Sequence, residues 1–207
     1  FPGHQNVPGV TPVDPEEVFE NQLKKCGVDY FDFYLLHNVN ENSLRYYGNP
    51  ENKFMDYFLK QKELGRIRHL GFSCHAAPDA LERFLALYGK QLEFCQIQLN
   101  YVDWMLQDAK KKVEILRAAE IPVWVMEPLR GGGLAKLADA EEATLKALRP
   151  DESIVAWAYR FLQSQPQVTT VLSGSSSLEQ MKENIACFAE DRPLNAEEME
   201  ALLGIAR

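Results

Sequence analysis

The chain has 207 residues, a formal net charge of −8, 46% hydrophobic and 25% charged residues. That is long enough for a substantial core, and the acidic balance excludes a nucleic-acid surface, which needs a basic face. No run approaches the ~20 apolar residues that span a bilayer.

Strand and helix signals alternate along the chain. Residues 15–26 predict a helix with Asp14 as N-cap and Pro15 at its first position. Gly27 stops it, and residues 30–37 read as a buried strand, Asp32-Phe33-Tyr34-Leu35-Leu36-His37. A continuous apolar run that ends on an imidazole marks a functional position, because parallel α/β barrels build their chemistry at the carboxyl ends of strands. The Asn-rich stretch 38–52 reads as a polar loop. Helix 54–64, strand 66–73, helix 79–88, strand 93–99, helix 106–119 and strand 122–127 follow. After the run Gly131-Gly132-Gly133 come helix 153–163, strand 168–172 and helix 178–188 with Ser177 as its N-cap.

Five strands, each followed by a helix, give the rhythm of βα units in a parallel sheet. The rhythm does not separate an open doubly wound sheet from a closed barrel. The chain contains no G-x-G-x-x-G between its first strand and helix, as a dinucleotide-binding open sheet would. Cys26, Cys74, Cys95 and Cys187 form no C-x-x-C pair, so reduced thiols in a cytoplasmic protein are expected. They share no zinc-ligand spacing with His4, His37, His69 or His75, and no metal site is expected.

Five pieces in order resemble the aldo-keto reductases, nicotinamide-dependent (β/α)8 TIM barrels. They are Gly27-Val28-Asp29-Tyr30 with the strand to His37, Gly65-Arg66-Ile67-Arg68-His69-Leu70-Gly71-Phe72-Ser73, and Cys95-Gln96-Ile97-Gln98-Leu99-Asn100-Tyr101. The last two are Glu127-Pro128-Leu129-Arg130-Gly131-Gly132, and Leu172-Ser173-Gly174-Ser175 with Glu183-Asn184. The resemblance implies that residues 1–207 are a partial barrel without a second domain, running from the end of the third βα unit through the eighth. Strands four to eight would be present and the first three lacking, either through truncation or because they lie outside the 207 residues. The wording of the fourth piece is similar to the branch that often carries a C-terminal iron–sulfur extension; the chain has no such cysteine cluster, and that cofactor is not expected.

What the resemblance implies for chemistry can be carried over residue by residue. Members protonate the carbonyl with a Tyr tuned by Lys and Asp, beside a His; general acid catalysis needs donors aimed at the developing alkoxide. Only the His has a counterpart, His37. Tyr34 alternates away from it along the strand, and Tyr101 has no lysine near it in sequence.

Ser73 and Gln96 match the residues that hold the nicotinamide carboxamide, although Cys74 replaces the usual Asn. Met126 stands where many members stack an aromatic ring. Leu129, Gly131 and Gly132 would form the loop over the pyrophosphate. Gly174, Ser175, Gln180, Glu183 and Asn184 would form the adenosine-phosphate site, with Glu183 and Asn184 on the adenine edge and the anion at a helix N-terminus. Gly174 and Gln180 stand where NADPH-specific members place Lys and Arg, so NADP(H) and NAD(H) both remain open.

The expected activity is NAD(P)H-dependent reduction of aldehydes or ketones to alcohols, belonging to a full-length parent; the 207 residues alone are expected to be inactive. The alternative is a cofactor-binding regulatory module with little turnover. A small carbonyl or alcohol substrate is expected, together with self-association through open barrel edges. The reading requires the imidazole, the hydroxyl, the amide and the serine-rich turn to converge around one barrel mouth.

Overall fold

A computed structural model describes residues 14–49 and 53–206. Strands β1 (Phe31–Val39), β2 (Ile67–Cys74), β3 (Cys95–Gln98), β4 (Val123–Met126) and β5 (Val168–Val171) form one five-stranded sheet in chain order. The β1–β2 and β4–β5 pairs are parallel. Neighbours in chain order are what short right-handed βα crossovers produce. The described residues fall into two compact units, one of those up to Gln96 with Glu114–Pro122, the other of Ile97–Val113 with those from Val123 on.

In the first unit, helix α1 (Pro15–Cys26) starts where the Asp14 carboxylate accepts the Glu16 N–H at 2.9 Å, and it ends on Gly27 at φ 66°. It buries Phe19 completely. The Phe19 ring meets Phe31 and Tyr34 of β1 and Phe58 of helix α3 (Phe54–Glu63) edge-on. Tyr34 stacks on Phe58 at 5.0 Å, which places it on the helix-facing side of β1, as alternation required. Arg66 closes the cluster with a two-point bond to Glu20, 2.6 and 2.8 Å.

The stretch 38–52 is not all loop. It contains helix α2 (Glu41–Tyr47), opened by Asn40, whose side chain accepts the Asn42 and Ser43 N–H groups while Ser43 Oγ accepts the Asn40 N–H. Asn40, one of the Asn residues that read as loop formers, is here the cap of a short helix that buries Leu44 and Tyr47; residues 50–52 of the stretch lie outside the described residues. Helix α4 (Pro78–Tyr88) follows β2 and buries Ala80, Leu81 and Phe84.

The second unit contains the short helix α5 (Asp103–Leu106); helix α6 (Ala109–Ala118) lies across the boundary in sequence. Helix α7 (Asp139–Leu148) buries only Leu145, which leaves too few apolar positions to announce a helix by period. Helix α8 (Ile154–Gln163) is capped by Ser153 and buries Trp157, Tyr159, Phe161 and Leu162. Buried Arg160 donates to the carbonyls of Cys187 and Glu190 at 2.6 and 2.8 Å, satisfying the C-terminal end of helix α9 (Leu178–Ala189).

Helix α10 (Ala196–Ile205) is opened by a capping box between Asn195 and Glu198 and packs on α7. Neither α7 nor α10 is among the helices read from sequence, although the Asn195-x-x-Glu198 spacing is a start signal. Among the described residues no helix is long and apolar enough to cross a membrane. None of their His, Cys, Asp and Glu side chains gather in groups that could hold a metal ion. All four cysteines are free thiols, three of them buried.

Candidate functional site

In the first unit β1 delivers His37 to its carboxyl end, and the next residue, Asn38, turns into the left-handed region at φ 61°. That conformation strains a residue with a Cβ. Four bonds hold it. Asn38 N–H donates to Ser73 Oγ at 2.8 Å, and Asn38 C=O accepts from Ser43 Oγ at 2.9 Å. Asn38 Oδ1 accepts from Asn40 Nδ2 at 3.0 Å, and Tyr47 OH donates to His37 C=O at 3.4 Å.

Ser73 is buried and reaches this turn from β2, the parallel neighbour of β1. One of its two lone pairs accepts from the backbone that follows His37, and its O–H stays a donor. Partial burial, and the charge of His75 nearby, hold the His37 imidazole below its ordinary pKa. It is therefore neutral at pH 7 and carries one ring N–H donor. Gln96 is half-buried in β3.

Burial pushes the phenols of Tyr34 and Tyr101 up to about 12. Tyr34 OH donates to Gln22 at 2.7 Å, and Tyr101 OH is buried without a hydrogen-bond partner. Neither is tuned toward proton transfer at neutral pH.

The second unit carries a cavity of about 1020 Å³. One wall is the segment that leaves β4, where Met126, Leu129, Gly131 and Gly132 line the space. The facing wall is the serine-rich turn before α9 with that helix's first turns, where Gly174, Ser175, Gln180, Glu183 and Asn184 line it. All nine cofactor-binding candidates of this unit thus border one space.

The first wall is conformationally unusual: Glu127, Arg130, Gly131 and Gly132 have φ of 58°, 49°, 64° and 90°. Each of the two non-glycine residues stores on the order of 1 kcal/mol of strain.

The second wall is a hydroxyl network. Asn184 Nδ2 donates to Ser173 Oγ at 3.0 Å and to Ser175 Oγ at 2.7 Å. Gln180 Oε1 accepts the Ser176 N–H at 2.8 Å, and Glu183 Oε1 accepts from Ser153 Oγ at 2.8 Å. Gln180, Glu183 and Asn184 therefore shape the turn before they could touch a ligand.

The fit to a dinucleotide rests on small residues and donors. A Cβ at Gly174 would meet nothing within 4 Å, so backbone is open to an approaching group there. In the first turn of the twelve-residue α9 the Gln180 N–H is taken by the Ser177 hydroxyl at 3.2 Å, and the N–H groups before it lack intrahelical acceptors and favour an anion. Ionic pairing contributes little: the ammonium of Lys146 sits 3.4 Å from Glu142, and Glu127 and Glu183 also border the space. Ribose and pyrophosphate oxygens would be met by hydroxyls and backbone N–H groups. Sequence reading missed Ser153, Ser173, Glu142 and Lys146 on this lining; the first is legible only as the N-cap of α8.

The aldo/keto reductase family model matches residues 3–207. Among curated proteins the chain is 22% identical over 206 residues to an uncharacterized oxidoreductase, YqkF, of Bacillus subtilis, covering 90% of this chain and 64% of that protein. It is 26% identical over 195 residues to an aldo-keto reductase of Mycolicibacterium vanbaalenii, covering 92% and 62%. The chain thus spans less than two thirds of the length of these relatives.

Among solved structures it superimposes on the apo form of aldo-keto reductase AKR11C1 from Bacillus halodurans with a TM-score of 0.73 at 22% identity, covering 93% of this chain and 68% of that one. An aldo/keto reductase from Brucella melitensis gives 0.68 at 24% identity, covering 92% and 67%. The α/β fold with its parallel five-stranded sheet is that of these reductases, of whose (β/α)8 barrel it represents a part. The chain belongs to the aldo/keto reductase family.

Proposed function

We propose that the second-unit cavity binds the adenosine and pyrophosphate portion of NADP(H) or NAD(H). The protein would be an oxidoreductase that interconverts a small aldehyde or ketone and its alcohol by hydride transfer. The observation that carries this reading is the meeting of two small-residue segments, 126–132 and 172–176, on one cavity of about 1020 Å³ at the start of a twelve-residue helix.

When bound, the nicotinamide supplies a hydride donor or acceptor. The chain's own residues would bind and orient cofactor and carbonyl; the proton for the developing alkoxide would come from the Tyr of the full-length parent, which has no counterpart among them. Gly131, Gly132 and Leu129 form a close-approach loop for the pyrophosphate, the Gly132 N–H itself being held by Leu129 C=O at 2.9 Å, and Gly174 and Ser175 present backbone and a hydroxyl to the adenosine phosphate. Glu183 and Asn184 bound the adenine edge, beside the turn they brace. Gln180 holds Ser176 in place through its side-chain carbonyl. Met126 packs a thioether against a ring face. Within the first unit, Ser73 accepts the Asn38 N–H and keeps its O–H as a donor suited to a carboxamide, with the Gln96 amide as the second candidate. His37, neutral at pH 7, offers a ring N–H to the substrate carbonyl oxygen and orients it.

Titration of NADH and NADPH into the chain, followed by nicotinamide and tryptophan fluorescence, tests the reading. Saturable binding of at least one, with Kd of ~1–100 μM, is expected. Gly174→Glu, whose side chain enters open space, is expected to weaken binding about tenfold without unfolding the protein. A flat titration to ~1 mM with both cofactors refutes it. In the full-length parent, cofactor binding with no cofactor oxidation across an aldehyde and ketone panel favours the regulatory module instead.

A further inference from the structure

Beneath the strained wall of the cavity lies a buried polar cluster that the resemblance gives no role. Asn100 and Asp103 are both fully buried in the second unit. Asp103 Oδ2 accepts from Asn100 Nδ2 at 2.6 Å and from Gln98 Nε2 at 2.7 Å. Asn100 Oδ1 accepts the N–H groups of Val102 and Asp103 at 3.1 and 2.8 Å, so its amide orientation is determined.

The same Nδ2 reaches across to the wall and donates to Glu127 C=O at 3.0 Å, beside the Arg130 N–H at 3.1 Å. The backbone ladder between these segments closes with Leu99 N–H on Met126 C=O at 3.2 Å. One residue later the Asn100 side chain takes the place of the next backbone donor.

The other end of the wall is tied by charge. Asp103 Oδ1 is buried with no hydrogen-bond partner, and Arg130 Nε lies 3.5 Å from it. Glu127, Pro128, Leu129, Gly131 and Gly132 border the cavity, whereas Arg130 does not. Its side chain leads the other way, to Asp103.

We propose that Asn100 and Asp103 are positioning residues, which through Glu127 C=O and Arg130 hold segment 127–132 in its left-handed conformations against the cavity. A left-handed Glu and Arg relax toward ordinary φ unless something outside the segment opposes it. The fully desolvated carboxylate is such an anchor: leaving one of its oxygens without a counter-charge is unfavourable. The consequence for ligand binding rests on the dinucleotide reading above; the consequence for the segment itself does not.

The test combines amide hydrogen exchange of the ligand-free chain with NADH titration, in Arg130→Met, Arg130→Lys, Asp103→Asn and Asn100→Asp. Arg130 is 45% exposed, so its variants are expected to fold. Arg130→Met and Asp103→Asn are expected to speed exchange at the turn amides of Gly132, Gly133 and Leu134 about tenfold, the effect of losing one bond to a charged group. Exchange in α8 stays as in wild type, NADH Kd rises by a similar factor, and Arg130→Lys recovers part of both. Asn100→Asp, which sets a second carboxylate against Asp103, is expected to loosen the segment further.

Turn exchange within about twofold of wild type in both Arg130→Met and Asp103→Asn overturns the proposal. So does a loss of protection shared equally by α8, which would mark a merely structural cluster. Faster turn exchange in a chain whose wild type binds neither cofactor supports positioning and refutes the dinucleotide reading.

Discussion

Gly71 has a steric reason for being glycine that can be put in numbers. It lies in β2, two residues before Ser73, and an added Cβ would sit 2.6 Å from three ring carbons of Phe94. Carbon atoms pack comfortably at roughly 3.5–4.0 Å, so the ring would have to retreat by about 1 Å. It has little room: Phe94 is 3% exposed and meets the Phe33 ring edge-on at 5.8 Å. The strand cannot yield easily either, since Phe72 N–H donates to Phe94 C=O at 3.2 Å and Glu93 N–H to Leu70 C=O at 2.9 Å.

Overpacking of this kind costs ~1–3 kcal/mol, and in a chain of this length that lowers Tm by about 2–12 °C. The assay is urea unfolding of Gly71→Ala alone and in a Phe94→Leu background. Because the clash is with the ring, the Gly71→Ala penalty should shrink to below about 0.5 kcal/mol when the ring is absent, leaving a coupling energy of ~1–2 kcal/mol. A Gly71→Ala variant as stable as wild type, or a penalty unchanged by Phe94→Leu, would refute the steric account.

Ser73→Ala removes the acceptor of the Asn38 N–H and is expected to cost ~1–3 kcal/mol, with faster exchange at that amide; an unmoved unfolding midpoint would show that Ser73 does not hold the turn. The His37 imidazole should titrate below 6.5 by NMR, and His75→Gln should raise its midpoint. Because the folded state disfavours the His37 cation, stability falls as pH drops from about 6.5 through the folded midpoint; a midpoint above 6.5 contradicts this.

Glu198 is held below the usual carboxylate range by Arg149, whose Nε and Nη2 donate at 2.6 and 2.7 Å. The stability it contributes is present above pH ~4.5 and lost as pH falls through its folded value. Glu198→Gln should flatten that part of the acid-unfolding curve, and an unchanged acid slope would refute the assignment.

Local signals decided much of this fold before any packing was considered. Asp14-Pro15 and Gly27 bracket α1 and Ser177 opens α9, because caps and left-handed stops act through the few residues at a helix end. The apolar run to His37 announced β1 because burial on a sheet imposes it. Resemblance to the family's motifs, not period or composition, collected Met126 to Gly132 and Gly174 to Asn184 as candidates; the βα order adds only that successive strand ends lie on one side.

What pattern could not supply was the partner of each polar group. Ser73 reads as a ligand donor, and its acceptance of the Asn38 N–H depends on a parallel register between strands 35 residues apart in sequence. Asn100, Asp103 and Arg130 carry no periodic signal, and their cluster exists only because β3 and β4 end side by side. Composition and period report what a residue would bury. Which buried donor meets which acceptor is settled by contacts distant along the chain, and tertiary structure alone decides those.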